Sequence, residues 1–198
     1  MKKKLRDLAD IRTGYQFRGK VTASDQANVS VIQIKDVDDR LRIHVSDLLP
    51  VKVDKPEAYE VNQGDLLFLS RGHRKFAAEV TDPVRDTIAT GYFYIVHPKS
   101  KVVDPSFLAW SINHSEFQEA MRPFVRGSHI PLISKTDFQD ITIRLPPLAV
   151  QRRIVELHRL FDRERELTTE IQSKREMLLQ AVSRKLMTGQ LQIQGDKL

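Results

Sequence analysis

The chain has 198 residues, 40% hydrophobic and 29% charged, with 32 Lys and Arg against 26 Asp and Glu for a net charge of +6; this supports a buried core and excludes wholesale disorder. The absence of cysteine excludes disulfides, thiolate zinc sites, iron-sulfur clusters and a cysteine nucleophile, and fits a reducing cytoplasm. No apolar run approaches the ~20 residues of a membrane span, and Met1-Lys-Lys-Lys-Leu-Arg-Asp has no apolar core behind its basic residues, so neither export nor a membrane partner is expected.

In chain order, alternation over Val31–Lys35 and again over Leu41–Val45, with Asp38-Asp39-Arg40 between, predicts a β-hairpin. Gly64-Asp65 opens an apolar run, Leu66–Leu69, that ends in Arg71-Gly72-His73-Arg74-Lys75. Lys75–Val80 and Thr87–Val96 read as further strands. Asp104-Pro105 predicts a helix N-cap with proline just inside it, followed by Phe107, Leu108 and Ile112 at helical spacing. Ser115 begins a second short helix that must end before Pro123. Ser134 and Asp137 have the spacing of a capping box, and Ile141, Ile143 and Leu145 form a closing strand.

The texture changes at Leu145-Pro146-Pro147-Leu148. Beyond it neither glycine nor proline occurs until Gly189, and one helix is predicted over Gln151–Leu186, roughly 54 Å long at ~1.5 Å per residue. Pro147 suits its start and Gly189 its stop. Its apolar positions, Ile154, Leu157, Leu160 or Phe161, Leu167, Ile171, Leu178, Val182 and Leu186, step by three and four and form one stripe, interrupted or flanked by Glu164, Lys174 and Arg175. Pairing with another helix and packing back across its own domain both cover such a stripe; its length favours pairing. The reading is α+β: a mixed β-rich domain at 1–146, a long helix at 147–188 and a tail at 189–198.

Catalytic constellations are missing. The one Pro-Pro has neither the Asn or Asp before it nor the aromatic after it that a DNA methyltransferase uses. No Asp or Glu has a Lys two residues later, as a common magnesium nuclease requires. There is no phosphate loop, and the six histidines show no paired metal-ligand spacing. No metal ligands are therefore assigned.

What remains is a binding surface, which the net positive charge permits and which both sides of Pro146 share equally. Arg71, Arg74 and Lys75 flank a glycine that lets backbone approach a phosphate, and arginine can read guanine bidentately. A solvated basic turn is the plainer reading of the same residues. Tyr15, Gln16, Arg18 and Lys20 form a second aromatic and basic loop, with Gln16 able to address adenine; Tyr15 as a core anchor is the alternative. Arg126-Gly127-Ser128-His129 forms a third turn, in which His129 is the candidate contact.

Leu5–Gly14 (LRDLADIRTG), Gly64–Phe68 (GDLLF), Phe107–Met121 (FLAWSINHSEFQEAM), Gly127–Val155 (GSHIPLISKTDFQDITIRLPPLAVQRRIV) and Arg184–Leu191 (RKLMTGQL) fall in one order. The chain resembles the DNA specificity subunit of type I restriction-modification systems in all of them. It departs at Val150, commonly Glu in that family, and in the tail. The resemblance implies a target recognition domain followed by the family's spacer helix, in a half-size form, since the standard subunit carries two of each with the helices paired antiparallel. It implies a non-catalytic, DNA-binding protein that directs methyltransferase subunits, which carry S-adenosylmethionine, and with them a restriction motor, to a two-part target. No cofactor is then expected in this chain. A homodimer through Ile154, Leu157, Phe161, Leu167, Ile171, Leu178 and Val182 would read a palindrome. The alternative is an assembly or exchange partner that docks its helix on a methyltransferase or on another specificity subunit. The methionine start and the polar tail Gln192–Leu198 suggest a complete reading frame.

Overall fold

The computed structural model describes residues 1–190. In chain order it contains β1 (Lys2–Lys4), α1 (Leu5–Leu8), β2 (Ala9–Thr13), β3 (Val29–Ile32), β4 (Leu49–Val51), β5 (Leu66–Leu69), β6 (Ala77–Glu79), β7 (Thr87–Ala89), β8 (Phe93–Pro98), α2 (Pro105–Asn113), α3 (Ser115–Met121), β9 (Val125–Arg126), β10 (Leu132–Ile133), α4 (Lys135–Asp140), β11 (Thr142–Arg144) and α5 (Leu148–Met187). The fold is α+β, as the sequence predicts. It divides into a unit spanning Met1–Val155 and a second that begins at Glu156.

A four-stranded antiparallel sheet in the order β2-β8-β5-β6 forms the centre of the first unit. Both of its faces are covered, which is why Leu66–Leu69 is apolar without alternation. Successive side chains point to opposite faces. Leu66, Phe68, Tyr94 and Val96 pack with Leu5, Leu8, Phe107, Leu108 and Phe138 from the helices, where Phe68 and Phe138 stack with centroids 4.0 Å apart. Leu67, Leu69, Phe93 and Ile95 face a second cluster with Ile32, Ile43 and Val61. A three-stranded sheet, β4-β3-β7, carries a third cluster of Val29, Val31, Val51, Val53 and Ile88.

Two strand expectations are corrected. β3 does not form a hairpin with Leu41–Val45: it pairs antiparallel with β4 and parallel with β7. Local side-chain bonds divert the chain, because the Asp36 carboxylate accepts from the Gln33 N–H at 2.8 Å and Asp38 accepts from the backbone N–H groups of Arg40 and Arg42. Burial raises the Asp38 pKa, but its bonds with Arg42, Arg40 and His44 prevail and hold it at about 2. The predicted strand Thr87–Val96 is two strands in different sheets, broken at Thr90-Gly91-Tyr92.

The helix signals match the structure. Asp104 accepts from the Phe107 N–H at 3.1 Å with Pro105 in the first turn, and Ser134 accepts from the Asp137 N–H at 3.0 Å. Replacing Asp104 with Ala is expected to cost about 1 kcal/mol, read as a shift in the urea midpoint. α3 ends at Met121, ahead of Pro123. α5 begins at Leu148, directly after the Pro147 that suits its start, with the Pro147 carbonyl accepting from the Val150 and Gln151 N–H groups. It stops at Gly189 (φ +70°), where the Gly189 and Gln190 N–H groups return to Leu186 and Lys185 in a Schellman pattern.

The first unit includes the first two turns of α5 rather than ending at Pro146, because Gln151 and Val155 are buried in it. Gln151 is fully enclosed; its Oε1 accepts from the Asp104 N–H at 2.9 Å and its Nε2 donates to the Pro146 carbonyl at 2.8 Å. Beyond Glu156 the stripe residues Leu157, Leu160, Phe161, Leu167, Ile171 and Leu178 are exposed. Among the described residues no helix is long and apolar enough to cross a membrane. Most of the predicted tail, from residue 191 on, lies outside the described residues.

Candidate nucleic-acid interface

Antiparallel order in the four-stranded sheet places the loop after β2, the loop from β5 to β6 and the turn before β8 at one end. These are the loops that carry Tyr15–Lys20, Arg71–Lys75 and Thr90–Tyr92. Short backbone bonds fasten them together. Gly14 lies so close to the last of them that a Cβ there would sit 2.3 Å from the Thr90 carbonyl oxygen, and the Tyr15 and Gly91 peptides bond Ala89 and each other at 2.8 and 2.7 Å. Ser70 donates to the Tyr92 carbonyl from its N–H at 2.9 Å and from its hydroxyl at 2.8 Å.

The β9–β10 hairpin joins the same edge. The Ile133 N–H donates to the Ser70 carbonyl, the Gly72 N–H to the Pro131 carbonyl, and the Tyr94 hydroxyl to the Ile133 carbonyl at 2.8 Å. Burial pushes the Tyr94 phenol up from its ordinary pKa. Leu132 lies antiparallel to Arg126 on one side and to Arg71 on the other. Directly opposed residues in antiparallel pairs share a face, so Arg71, Leu132 and Arg126 form a row, with the two arginine backbones roughly 10 Å apart. All three are exposed, and neither arginine makes an ion pair among the described residues.

Against this geometry the sequence-predicted residues separate. Arg74 pairs with Asp39 at 3.0 Å and lies 5.5 Å over the Phe76 ring. The Lys75 ammonium donates to the Gly72 carbonyl and, at 2.8 Å, to the Pro131 carbonyl, and burial lowers its pKa. Lys75 therefore ties the loop to the protein, while Arg74 and Arg71 are both exposed, Arg74 in a surface ion pair and Arg71 in none among the described residues. Tyr15 takes its alternative role, half-buried and edge-on to Phe17 and Tyr59 at 4.7 and 5.1 Å. Gln16 donates to the Gly91 carbonyl at 3.2 Å and fills the space a Gly91 side chain would need. Arg18 and Lys20 are exposed around Gly19 (φ +93°), and His129 is exposed in the β9–β10 turn.

Arg126, Leu132 and half-exposed Tyr92 were not among the candidates the sequence singled out as contacts. Arg126 stood in a recognised polar turn, but its alignment with Arg71 depends on pairing between distant segments. The Gly64–Phe68 motif acts at the opposite end of the sheet, where the fully buried Asp65 accepts from the Asn62 N–H at 2.9 Å and lies 2.6 Å from His97 Nδ1. Among the described residues no cluster of three or more His, Asp or Glu is placed to hold a metal ion.

A family model described as the type I restriction modification DNA specificity domain matches residues 1–176. The chain belongs to that family. Its members recognise DNA, so the exposed row lies on a domain for DNA recognition rather than catalysis. No curated protein matches the chain. Solved structures similar to this specificity domain include the HsdS subunit from Thermoanaerobacter tengcongensis, with a TM-score of 0.65, 20% identity and coverage of 96% of this chain and 45% of that one. The type I restriction-modification S subunit from M. genitalium gives a TM-score of 0.59 at 12% identity, covering 95% and 46%. A chain from a structure on complex assembly and conformational transition of the type I R-M system gives 0.67 at 18% identity, covering 100% and 51%. These likenesses concern the fold, and the specificity domain spans about half the length of each.

Proposed function

We propose that this chain is a half-size specificity subunit that pairs with a second copy and so presents two recognition domains to a bipartite, palindromic DNA target. The observation that carries this reading is the stripe of α5, on which Leu157, Phe161, Ile171 and Leu178 are 52%, 54%, 50% and 64% exposed. An apolar stripe of this length in water favours a helical partner. A second copy supplies one by the simplest symmetry, and a two-fold axis turns one recognised half-site into a palindrome. The match to about half of each similar solved subunit supports the same reading.

In this reading the chain selects sequence and spacing, and methyltransferase partners bring S-adenosylmethionine and modify an extruded adenine at N6. A restriction motor, where present, joins the same complex. Mapping methylated adenines in cells that carry this chain and a cognate methyltransferase is expected to return an interrupted palindrome. Light scattering of the isolated protein is expected to return the mass of two chains. An asymmetric motif, or a single-chain mass with and without methyltransferase, overturns the homodimer. Pairing only with another specificity subunit would favour a role in assembly or exchange.

A further inference from the structure

Past Val155 the seam of α5 steps by four and three through Leu157, Phe161, Glu164, Thr168, Ile171, Arg175, Leu178 and Val182. Leu157 and Phe161 toward one end and Leu178 and Val182 toward the other are apolar, and Lys185 continues the steps beyond Val182. Near the middle stand one acid and one base, Glu164 and Arg175, which are exposed and make no ion pair among the described residues. A charge enclosed in such a seam is costly unless an opposite charge meets it.

That requirement discriminates among the ways two copies can pair. In a parallel, in-register pair every seam position faces itself, which sets Glu164 against Glu164 and Arg175 against Arg175. In an antiparallel pair the seams mesh only in registers one heptad apart. One of these sets Leu157 against the partner's Val182, Phe161 against the partner's Leu178, Glu164 against the partner's Arg175 and Thr168 against the partner's Ile171. Two-fold symmetry repeats each contact. Slipping one heptad in one direction places Arg175 on the partner's Leu157 and Glu164 on the partner's Thr168. Slipping in the other direction places Arg175 on the partner's Ile171 and Glu164 on the partner's Val182. Both slips leave both charges without a counter-charge.

Antiparallel pairing is what the family resemblance already implies; we infer that two copies take the first of these registers and that the Glu164–Arg175 contact, formed twice, selects it. The positions flanking the seam agree with it. Leu160 falls beside the partner's Ala181 and His158 beside the partner's Leu179. Leu167 lies along the aliphatic stem of the partner's Lys174, whose ammonium is already held by Glu170 of its own helix at 2.6 Å. This assignment rests on the homodimer proposed above and adds what that reading lacks, a spacing. Val155 lies across from the partner's Arg184, which puts the two domain junctions about 44 Å apart along the helices. A slip of one heptad would change that separation by about 10 Å, or roughly three base pairs of DNA.

The absence of native cysteine makes the register directly measurable. Leu157→Cys combined with Val182→Cys is expected to give disulfide-linked dimers under mild oxidation. Leu157→Cys with Arg175→Cys, and Glu164→Cys with Val182→Cys, report the two slipped registers and are expected to stay largely uncrosslinked. Glu164→Arg alone, or Arg175→Glu alone, is expected to weaken dimerisation at least tenfold by sedimentation or light scattering, and the two together to restore it. Dimers crosslinked preferentially through a slipped pair, dimers linked by Leu157→Cys alone, or no rescue by the double exchange overturn the register while leaving the homodimer standing. A one-chain mass for the unaltered protein overturns the homodimer itself.

Discussion

Replacing Arg71 and Arg126 together with alanine is expected to lower affinity for the cognate duplex by about two to four orders of magnitude, since each arginine seated bidentately on a guanine is worth ~1–3 kcal/mol. The two stand on either side of Leu132, on one face of an exposed edge. Fluorescence anisotropy on the target found by methylation mapping, and on duplexes with single changed base pairs, separates the ways they act. Loss of discrimination at particular positions means base reading. A uniform loss, with the salt slope reduced by about one per arginine, means phosphate contact alone. Replacing both with lysine keeps the charge but removes the planar fork, so it is expected to preserve non-specific binding without restoring discrimination. Arg74→Ala is the control. Its guanidinium is directed to Asp39 and the Phe76 ring, outside the row of Arg71, Leu132 and Arg126, and its loss is expected to change affinity by no more than about threefold. An unchanged affinity in the double alanine variant would remove this edge from the DNA interface.

The second large effect concerns stability. Gln151→Leu keeps roughly the side-chain volume while removing the partners of the Asp104 N–H and the Pro146 carbonyl, two part-buried groups that the fully enclosed Gln151 side chain pairs. A cost of about 2–4 kcal/mol is expected, since each buried group stranded in this way costs ~1–3 kcal/mol. Thermal unfolding followed by circular dichroism is expected to show a midpoint lower by roughly 5–15 °C. Gln151→Glu is expected to be at least as damaging: it keeps an acceptor for Asp104 but turns a carboxylate toward the Pro146 carbonyl. A loss below about 1 kcal/mol in both variants would show that Gln151 is not what fastens the start of α5 to the domain.

Several features of the fold were legible along the chain because they are local. Asp104 and Ser134 cap helices through bonds to residues three positions on. Pro123 stops a helix by its own covalent geometry, and Gly189 does so by accepting a positive φ. The apolar stripe of α5 needs only the helical repeat to be seen. The ordered motif segments carried the family, and in Gln151 one of them held the residue that fastens the helix to its domain. The failed hairpin was also a local matter, decided by Asp36 and Asp38 bonding nearby backbone more strongly than alternation could indicate.

The DNA-facing candidates were only partly legible. Arg71, Arg74 and Lys75 look alike in sequence, and only tertiary contacts assign Arg74 to Asp39 and Phe76 and Lys75 to the Gly72 and Pro131 carbonyls. Nothing near Arg126 announces Arg71, because the strand edge that aligns them is closed by segments far apart in the chain. Capping, chain stiffness and helical periodicity are settled within a few residues, so sequence alone determined α2, α3 and α5, the change of texture at Pro146 and the apolar stripe of α5. Cross-strand pairing and desolvation depend on what the whole chain brings alongside, so only the tertiary structure decided which cations are engaged by the protein and which are left facing solvent.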